Sequence, residues 1–408
     1  MSTAHSTDSP YAFARLAVAL ALATIGATGM YIVPVVLPNV QAEFGVARAD
    51  AATPYSMLMI GFGVGGLMMG RLADRYGIVA PLFISSVALG LGFALAGTSE
   101  SIWTFTLAHG LLIGFLGCSA MFAPLIADTS LWFARRRGIA VAICASGNYL
   151  GGTIWPGVVQ HFVESVGWRH TYFGLGAFCF VAIASLALFM RQRPPTLAAA
   201  ASTHREAATA MPFGLAPWKG QTLLCIAGVA CCVAMSMPQV HIVAYCADLG
   251  YGAARGAEML SVMMGFGIVS RLVSGIVCDR IGGLRTLLLG SFLQGVALLL
   301  FLPFDSLMSL YVIAALFGLF QGGIVPSYAI IIREYFPAKD TGMRVGLVMM
   351  CTLGGMALGG WMSGRIFDVT GSYHAAFVNG VAWNLLNLTI ACTLMWRSQR
   401  RVRSTVPA

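Results

Sequence analysis

The chain has 408 residues, of which 58% are hydrophobic and only 10% charged. So apolar a composition excludes intrinsic disorder and a disulfide scaffold, and it points to a protein that crosses a membrane many times. The 24 basic and 15 acidic residues leave a formal charge of +9, but the bases punctuate apolar runs instead of gathering on one polar face. That pattern carries topology, and it argues against a nucleic-acid partner.

A bilayer core demands about 20 successive apolar residues. In chain order, runs bounded by charges or turn residues predict spans at 13–38, 51–70, 79–98, 103–127, 138–163 and 170–190, then at 220–247, 255–277, 284–303, 307–332, 342–365 and 374–396. Arg15 precedes the first run as a basic residue precedes a signal peptide's core, but the length of the run and the pattern behind it favour a retained helix. The stretch between the sixth and seventh spans, with its Pro194-Pro195 pair and Ala/Ser/Thr composition, reads as a linker. The expected architecture is an all-α membrane protein of twelve transmembrane helices in two pseudo-symmetric six-helix bundles: 1–190, a cytoplasmic linker 191–219, and 220–408.

Alternating the loops between the two sides puts Arg48, Arg169, Arg255 and Arg365 on one side and Arg271 inside the membrane. The remaining bases, including Arg135, Arg136, Arg137, Arg397, Arg400, Arg401 and Arg403, fall on the other side. Positive residues favour the cytoplasmic face, so both termini are expected there, in a multi-pass protein of the inner or plasma membrane. The ten cysteines lie within or at the edges of apolar runs and read as small packing residues. With no Cys-x-x-Cys and no His-Glu-x-x-His, neither a metal nor a cofactor is expected.

The two halves repeat. Gly70-Arg-Leu-Ala-Asp74-Arg75-Tyr-Gly77 has its counterpart in Gly275-Ile-Val-Cys-Asp279-Arg280-Ile-Gly282, about half the chain length further on, and Glu164, Gly167, His170 and Phe173 recur as Asp368, Gly371, His374 and Phe377. Each Gly-x-x-x-Asp-Arg-x-Gly copy ends an even-numbered span, where glycine lets helices approach and the charges can pair between helices. Here the chain resembles the major facilitator superfamily, whose loops after helices 2 and 8 carry this motif. The resemblance implies two six-helix halves rocking around a midplane substrate site, with Gly70, Asp74, Arg75, Gly275, Asp279 and Arg280 as gating residues.

A finer resemblance appears at Trp132-Phe133-Ala134-Arg135-Arg136-Arg137-Gly138, followed by small residues to Gly147, and at Gly364-Arg365-Ile-Phe-Asp368-Val-Thr-Gly371-Ser-Tyr373. Both look like signatures of the monocarboxylate porter and oxalate/formate exchanger branch, although Ala142, Cys144 and Ser146 depart from the commoner small residues of the first.

Every acid falls in a terminus, a loop or the outer turns of a span, and among the bases only Arg271 is placed deep in one. An arginine there costs roughly 2.5 to 3.5 kcal/mol on insertion scales, so it should face a polar cavity or a partner, and a functional anion site is the default reading. Its helical neighbours Met264, Gly267, Ser274 and Cys278 are mostly small and leave room for a carboxylate, which a guanidinium can hold in bidentate fashion. In the resembling branch the helix-8 arginine binds the substrate anion, and Arg271 matches that position. Gly267 stands where many monocarboxylate porters have an aspartate, Val35 follows Pro34 where they have a lysine, and 346–364 lacks the helix-11 lysine of oxalate/formate exchangers. One buried cation suits one carboxylate.

His241, about 10 Å from the outer end of its helix by the helical rise, is the side chain able to take a proton near pH 7 in that region, hence a candidate for coupling or substrate contact. His109 and His161 show no comparable polar company. Asn148, Tyr31, Gln321 and Tyr328 complete the candidate substrate contacts, each also suited to interhelical hydrogen bonding; Tyr55 is a weaker one. The expected activity is alternating-access transport of a small organic monocarboxylate by a monomer, coupled to proton symport through His241 or the substrate's own carboxyl. The alternatives are organic-anion exchange and drug efflux, the latter calling for a buried acid. No catalytic dyad is evident, so an enzyme is not expected.

Overall fold

A computed structural model describes residues 7–192, 212–337 and 341–405. Of the expected linker, residues 193–211 lie outside the described residues. All regular structure among the described residues is helical. In chain order it comprises α1 (Pro10–Gly26), α2 (Thr28–Phe44), α3 (Arg48–Tyr76), α4 (Val79–Gly97), α5 (Ile102–Leu107), a π-helical segment (Ala108–Gly117), a short 3-10 turn (Cys118–Met121), α6 (Ala123–Trp132), α7 (Arg137–Val166) and α8 (Trp168–Phe189). A 3-10 turn at Pro212–Gly214 leads into α9 (Pro217–Asp248), α10 (Ala253–Ile281), α11 (Gly283–Leu300), α12 (Leu307–Gln321), α13 (Ile324–Tyr335), α14 (Thr341–Thr370) and α15 (Tyr373–Thr405).

Eleven of the resulting rods are long and apolar enough to cross a bilayer. α7 matches them in length, but Ser146, Asn148, Tyr149 and Thr153 dilute its apolar character. Three spans are interrupted. The first bends at Ala27, between α1 and α2; the fourth passes through the π segment and the 3-10 turn; and the tenth breaks at Gly322-Gly323, between α12 and α13. Cys118, where the fourth span breaks, stands half a chain length before Gly322.

The internal repeat is visible in the backbone. Gly77 and Gly282 close α3 and α10 with φ +84° each, and Gly167 and Gly371 close α7 and α14 with φ +83° and +67°. L side chains avoid that region, which accounts for glycine at all four positions. Serine caps begin α1, α5 and α12, where Ser9, Ser101 and Ser306 accept hydrogen bonds from backbone amides three residues on.

Inside lipid there is no hydrophobic gain in pressing one apolar helix on another, so close packing depends on small residues. Gly147 and Gly151 of α7 seat against Ala23 of α1 and Ala27 at its end, where the Trp155 indole N–H also donates to the Thr24 carbonyl at 2.7 Å. Gly355 and Gly359 of α14 seat against Val229 and Val233 of α9. Gly151 and Gly355 are again half a chain apart.

By contact the chain forms two compact units. The first comprises Met1–Ala201 with Val240–Gly265, and the second Ser202–Gln239 with Phe266–Ala408. Each is described by itself below.

Candidate functional site

In the first unit, α2 and α7 bring two predicted residues together. The Tyr31 hydroxyl donates to Asn148 Oδ1 at 3.0 Å and lies 3.3 Å from the thioether of Met264 on α10, while Asn148 Nδ2 lies 3.3 Å from the Met30 sulfur. A thioether is a weak acceptor, so the Asn148 amide donor is poorly satisfied and able to exchange for an oxygen, whereas the Tyr31 hydroxyl proton is taken by Asn148 Oδ1. A cavity with room for about a single water, bordered by Met30, Phe62, Phe122 and Asn148, adjoins them. His241, on α9, belongs to this unit and is fully buried.

The second unit holds the other three. Arg271 is half-buried on α10, on the side opposite the exposed stripe of Val269, Leu272, Val273 and Ile276. Met264, Gly267 and Cys278, on the arginine's own face, are buried. The guanidinium is thus turned into protein and away from lipid. Gln321, fully buried at the end of α12, accepts from Gln239 Nε2 at 2.9 Å, and its own amide nitrogen has no hydrogen-bond partner among the described residues. Tyr328 of α13 is fully buried and donates to Asn387 Oδ1 at 3.1 Å; Asn387 in turn donates to Ser291 at 2.7 Å. Beside them Asn384 donates to Gln294 and Gln294 to the Cys231 carbonyl, both at 3.4 Å. Tyr328 is therefore part of a buried polar chain joining α11, α13 and α15.

The two Gly-x-x-x-Asp-Arg-x-Gly copies occupy matching places. Gly70, Asp74 and Arg75 end α3 and Gly275, Asp279 and Arg280 end α10; the four charged residues are exposed, and none is in an ion pair among the described residues.

One expectation is corrected outright. Arg15, read as a charge flanking the first span, lies within α1, its side chain 3% exposed, and it is held by Asp128 of α6 in a bidentate pair at 2.9 and 3.0 Å. Its remaining nitrogen donates to the Met190 carbonyl at 3.0 Å, and its guanidinium sits 4.6 Å from the Trp132 ring centroid. The expectation that only Arg271 among the bases is drawn inward fails because α1 begins at Pro10, ahead of Arg15, and packs the arginine against Asp128 and Trp132. Nearby, the Asp8 carboxylate accepts from the backbone amides of Arg135 and Ala134 at 3.1 and 3.2 Å, and these contacts, Arg135's first, hold its pKa below the usual 3.8. His109, for which no functional role was expected, is fully buried, with Nδ1 on the Phe105 carbonyl at 2.8 Å and Nε2 on the Tyr172 hydroxyl at 3.1 Å, a polar neighbour the sequence did not show. Those contacts satisfy a neutral ring and make it a packing residue.

At the end of the first unit opposite the amino terminus, Arg48 of α3 pairs with Asp248 of α9 at 3.1 Å, and Arg169 of α8 pairs with Glu43 of α2 at 2.7 Å. Sequence reasoning found none of the three ion pairs Arg15–Asp128, Arg48–Asp248 and Arg169–Glu43. The acids and bases involved are separated by more than a hundred residues, and no spacing rule links them.

Comparison with known proteins adds the family. The model described as Major Facilitator Superfamily matches residues 18–307 and 259–408. Monocarboxylate transporter 13 of Rattus norvegicus is 29% identical, covering 86% of this chain and 82% of that protein, and the MFS-type transporter pynF of Aspergillus niger is 23% identical, covering 82% and 78%. Among solved structures, the peptide transporter POT in complex with sulfate matches with a TM-score of 0.74 at 12% identity, over 95% of this chain and 94% of that one. The bacterial homolog to the human lysosomal transporter Spinster, in its inward-facing and unoccupied conformation, matches with a TM-score of 0.70 at 16% identity, over 98% and 100%.

Proposed function

The chain belongs to the major facilitator superfamily and is a multi-pass membrane transporter, and on that premise we propose that it carries a small organic monocarboxylate by alternating access, with Arg271 holding the anion. The observation that carries the reading is the placement of Arg271: a guanidinium deep along a membrane helix, on its protein-facing side, among small neighbours. In surroundings shielded from water a charge-assisted, bidentate contact with a carboxylate is strong. The similarity to monocarboxylate transporter 13 supports the same substrate class.

Asn148 and Tyr31 are proposed as further substrate contacts, because the Asn148 amide donor rests on sulfur, so that an oxygen of the solute is the better acceptor, and the Tyr31 hydroxyl is hydrogen-bonded to that same Asn148. Gln321 is proposed as well, its buried amide donor having no acceptor among the described residues. Tyr328 acts one step back, positioning α13 through Asn387. The halves 1–190 and 220–408 are proposed to rock against each other, with the termini in the cytoplasm by the distribution of bases.

An anion entering against an inside-negative potential loses about 2.3 kcal/mol per charge per 100 mV, and a co-transported proton cancels that cost. The coupling proton rides on His241 or on the substrate's own carboxyl. The test is uptake by proteoliposomes. Arg271→Ala and Arg271→Lys are expected to abolish saturable uptake of the transported acid, and near-normal uptake with unchanged affinity would refute the assignment. Uptake that requires a trapped internal anion and ignores a pH gradient would replace symport with exchange.

A further inference from the structure

The first unit carries an apolar groove of about 510 Å³ between α3 and the fourth span. One wall is Thr53, Met57, Ile60 and Val64; the other includes Trp103, Leu107 and Leu111. The groove exists because the helices meet closely at one line only. Gly61 lies so near the Gly110 carbonyl that a Cβ there would collide with it, and Gly65 is equally close to the carbonyl of Phe115. Gly110 and Phe115 sit in the π-helical segment, whose wider turns displace the side chains on either side of that line.

No described residue of the first unit fills this space. Met57, Ile60, Val64, Trp103, Leu107 and Leu111 are all well exposed, on spans whose outer faces meet the bilayer. We propose that the groove holds one acyl chain of a glycerophospholipid from the leaflet on the side opposite the amino terminus.

Three features select this occupant. The groove is continuous with the bilayer-facing surface, so a lipid chain reaches it without leaving the hydrocarbon. From Thr53 to Val64 it runs about 16 Å along α3 at the helical rise, close to the ~15 Å that one leaflet's hydrocarbon occupies. Its chemistry is graded along that length. At the outer end stand Trp103, a residue type that settles at headgroup depth, with Thr53 and with Thr106, whose hydroxyl has no hydrogen-bond partner among the described residues and would meet a lipid's ester carbonyls; below them every lining side chain is apolar. A second copy of the chain would have to present a single narrow ridge of matching length and would leave the Thr106 hydroxyl unsatisfied.

The experiment uses the full-length protein in mild detergent with phosphatidylcholine whose acyl chains are brominated. Quenching specific to Trp103, taken as the difference from Trp103→Phe, is expected to saturate near one lipid per protein. Native mass spectrometry is expected to show one retained phospholipid that is lost when the groove is filled by Ile60→Phe with Leu107→Phe, and kept in Leu188→Phe, an exposed position on α8. Quenching that climbs without saturation overturns the proposal, as does equal lipid retention by the filled variant. So does a dimer of the parent that the filled variant dissociates, which would give the groove to a second copy. The quenching titration needs only the parent and Trp103→Phe, so it decides the matter even if the filled variant does not fold.

Discussion

Removing Asp128 should expose how much the first unit depends on a charge it has buried. The Arg15 side chain is 3% exposed and that of Asp128 10%, so solvent screening takes little from their interaction. Asp128→Ala deletes three contacts, from Nε and twice from Nη2, and leaves the guanidinium with the Met190 carbonyl and the Trp132 ring. Stranding one member of a buried pair costs roughly 3 to 5 kcal/mol, whereas replacing both with apolar groups of similar volume is often neutral. The expected results are therefore a loss of about 3 to 5 kcal/mol for Asp128→Ala, a similar loss for Arg15→Ala, and a much smaller one for Arg15→Met with Asp128→Leu. The assay is equilibrium unfolding in mild detergent, followed by Trp fluorescence and taken through the double-mutant cycle. If Asp128→Ala costs under about 1 kcal/mol, or the double substitution costs the sum of the singles, the pair is not a buried, mutually dependent unit and the reasoning fails.

Tyr328→Phe should destabilise the second unit by about 1 to 3 kcal/mol, because Asn387 Oδ1 loses its donor inside an apolar interior; unfolding of Tyr328→Phe with Asn387→Leu, expected to recover part of that loss, checks it. Gly355→Ala should lower stability by about 1 to 3 kcal/mol, since a Cβ there would stand 2.5 Å from the Val229 carbonyl oxygen and must push α14 off α9; thermal unfolding beside the neutral control Gly354→Ala, where a Cβ meets nothing, measures it. The Asp8 clamp has a pH signature. Its folded pKa is depressed, so its contribution is complete above the usual 3.8 and fades as pH falls below that value through the lowered folded one. Hydrogen exchange at the Ala134 and Arg135 amides should accelerate over that range in the parent and be fast and pH-insensitive, after correction for intrinsic exchange, in Asp8→Ala.

The helical membrane fold was legible because its causes are local. Runs of apolar residues long enough to span a bilayer leave the backbone no alternative to hydrogen-bonding within itself, and the repeated glycines at 77, 167, 282 and 371 mark helix ends because only glycine tolerates the φ found there. Arg271 stood out for the same reason, as one charge in an apolar run. What it touches is not a local property, nor is the role of Tyr328. The polar chain behind Tyr328 left a faint trace, Ser291 with Gln294 and Asn384 with Asn387, each pair three residues apart on one helix face. Nothing in that spacing says that the two faces meet.

Long-range pairing was decided by tertiary structure alone. Arg15 and Asp128 are each unremarkable by position, a base before one span and an acid near the end of another, and only the packing of α1, α6 and α8 excludes water from between them. The groove beside Gly61 is of the same kind, since the sequence shows two apolar spans and the π-helical turns that hold them apart appear only once the backbone is folded. Hydropathy and backbone preference act over a few residues and so can be read along the chain; desolvation depends on what arrives from elsewhere.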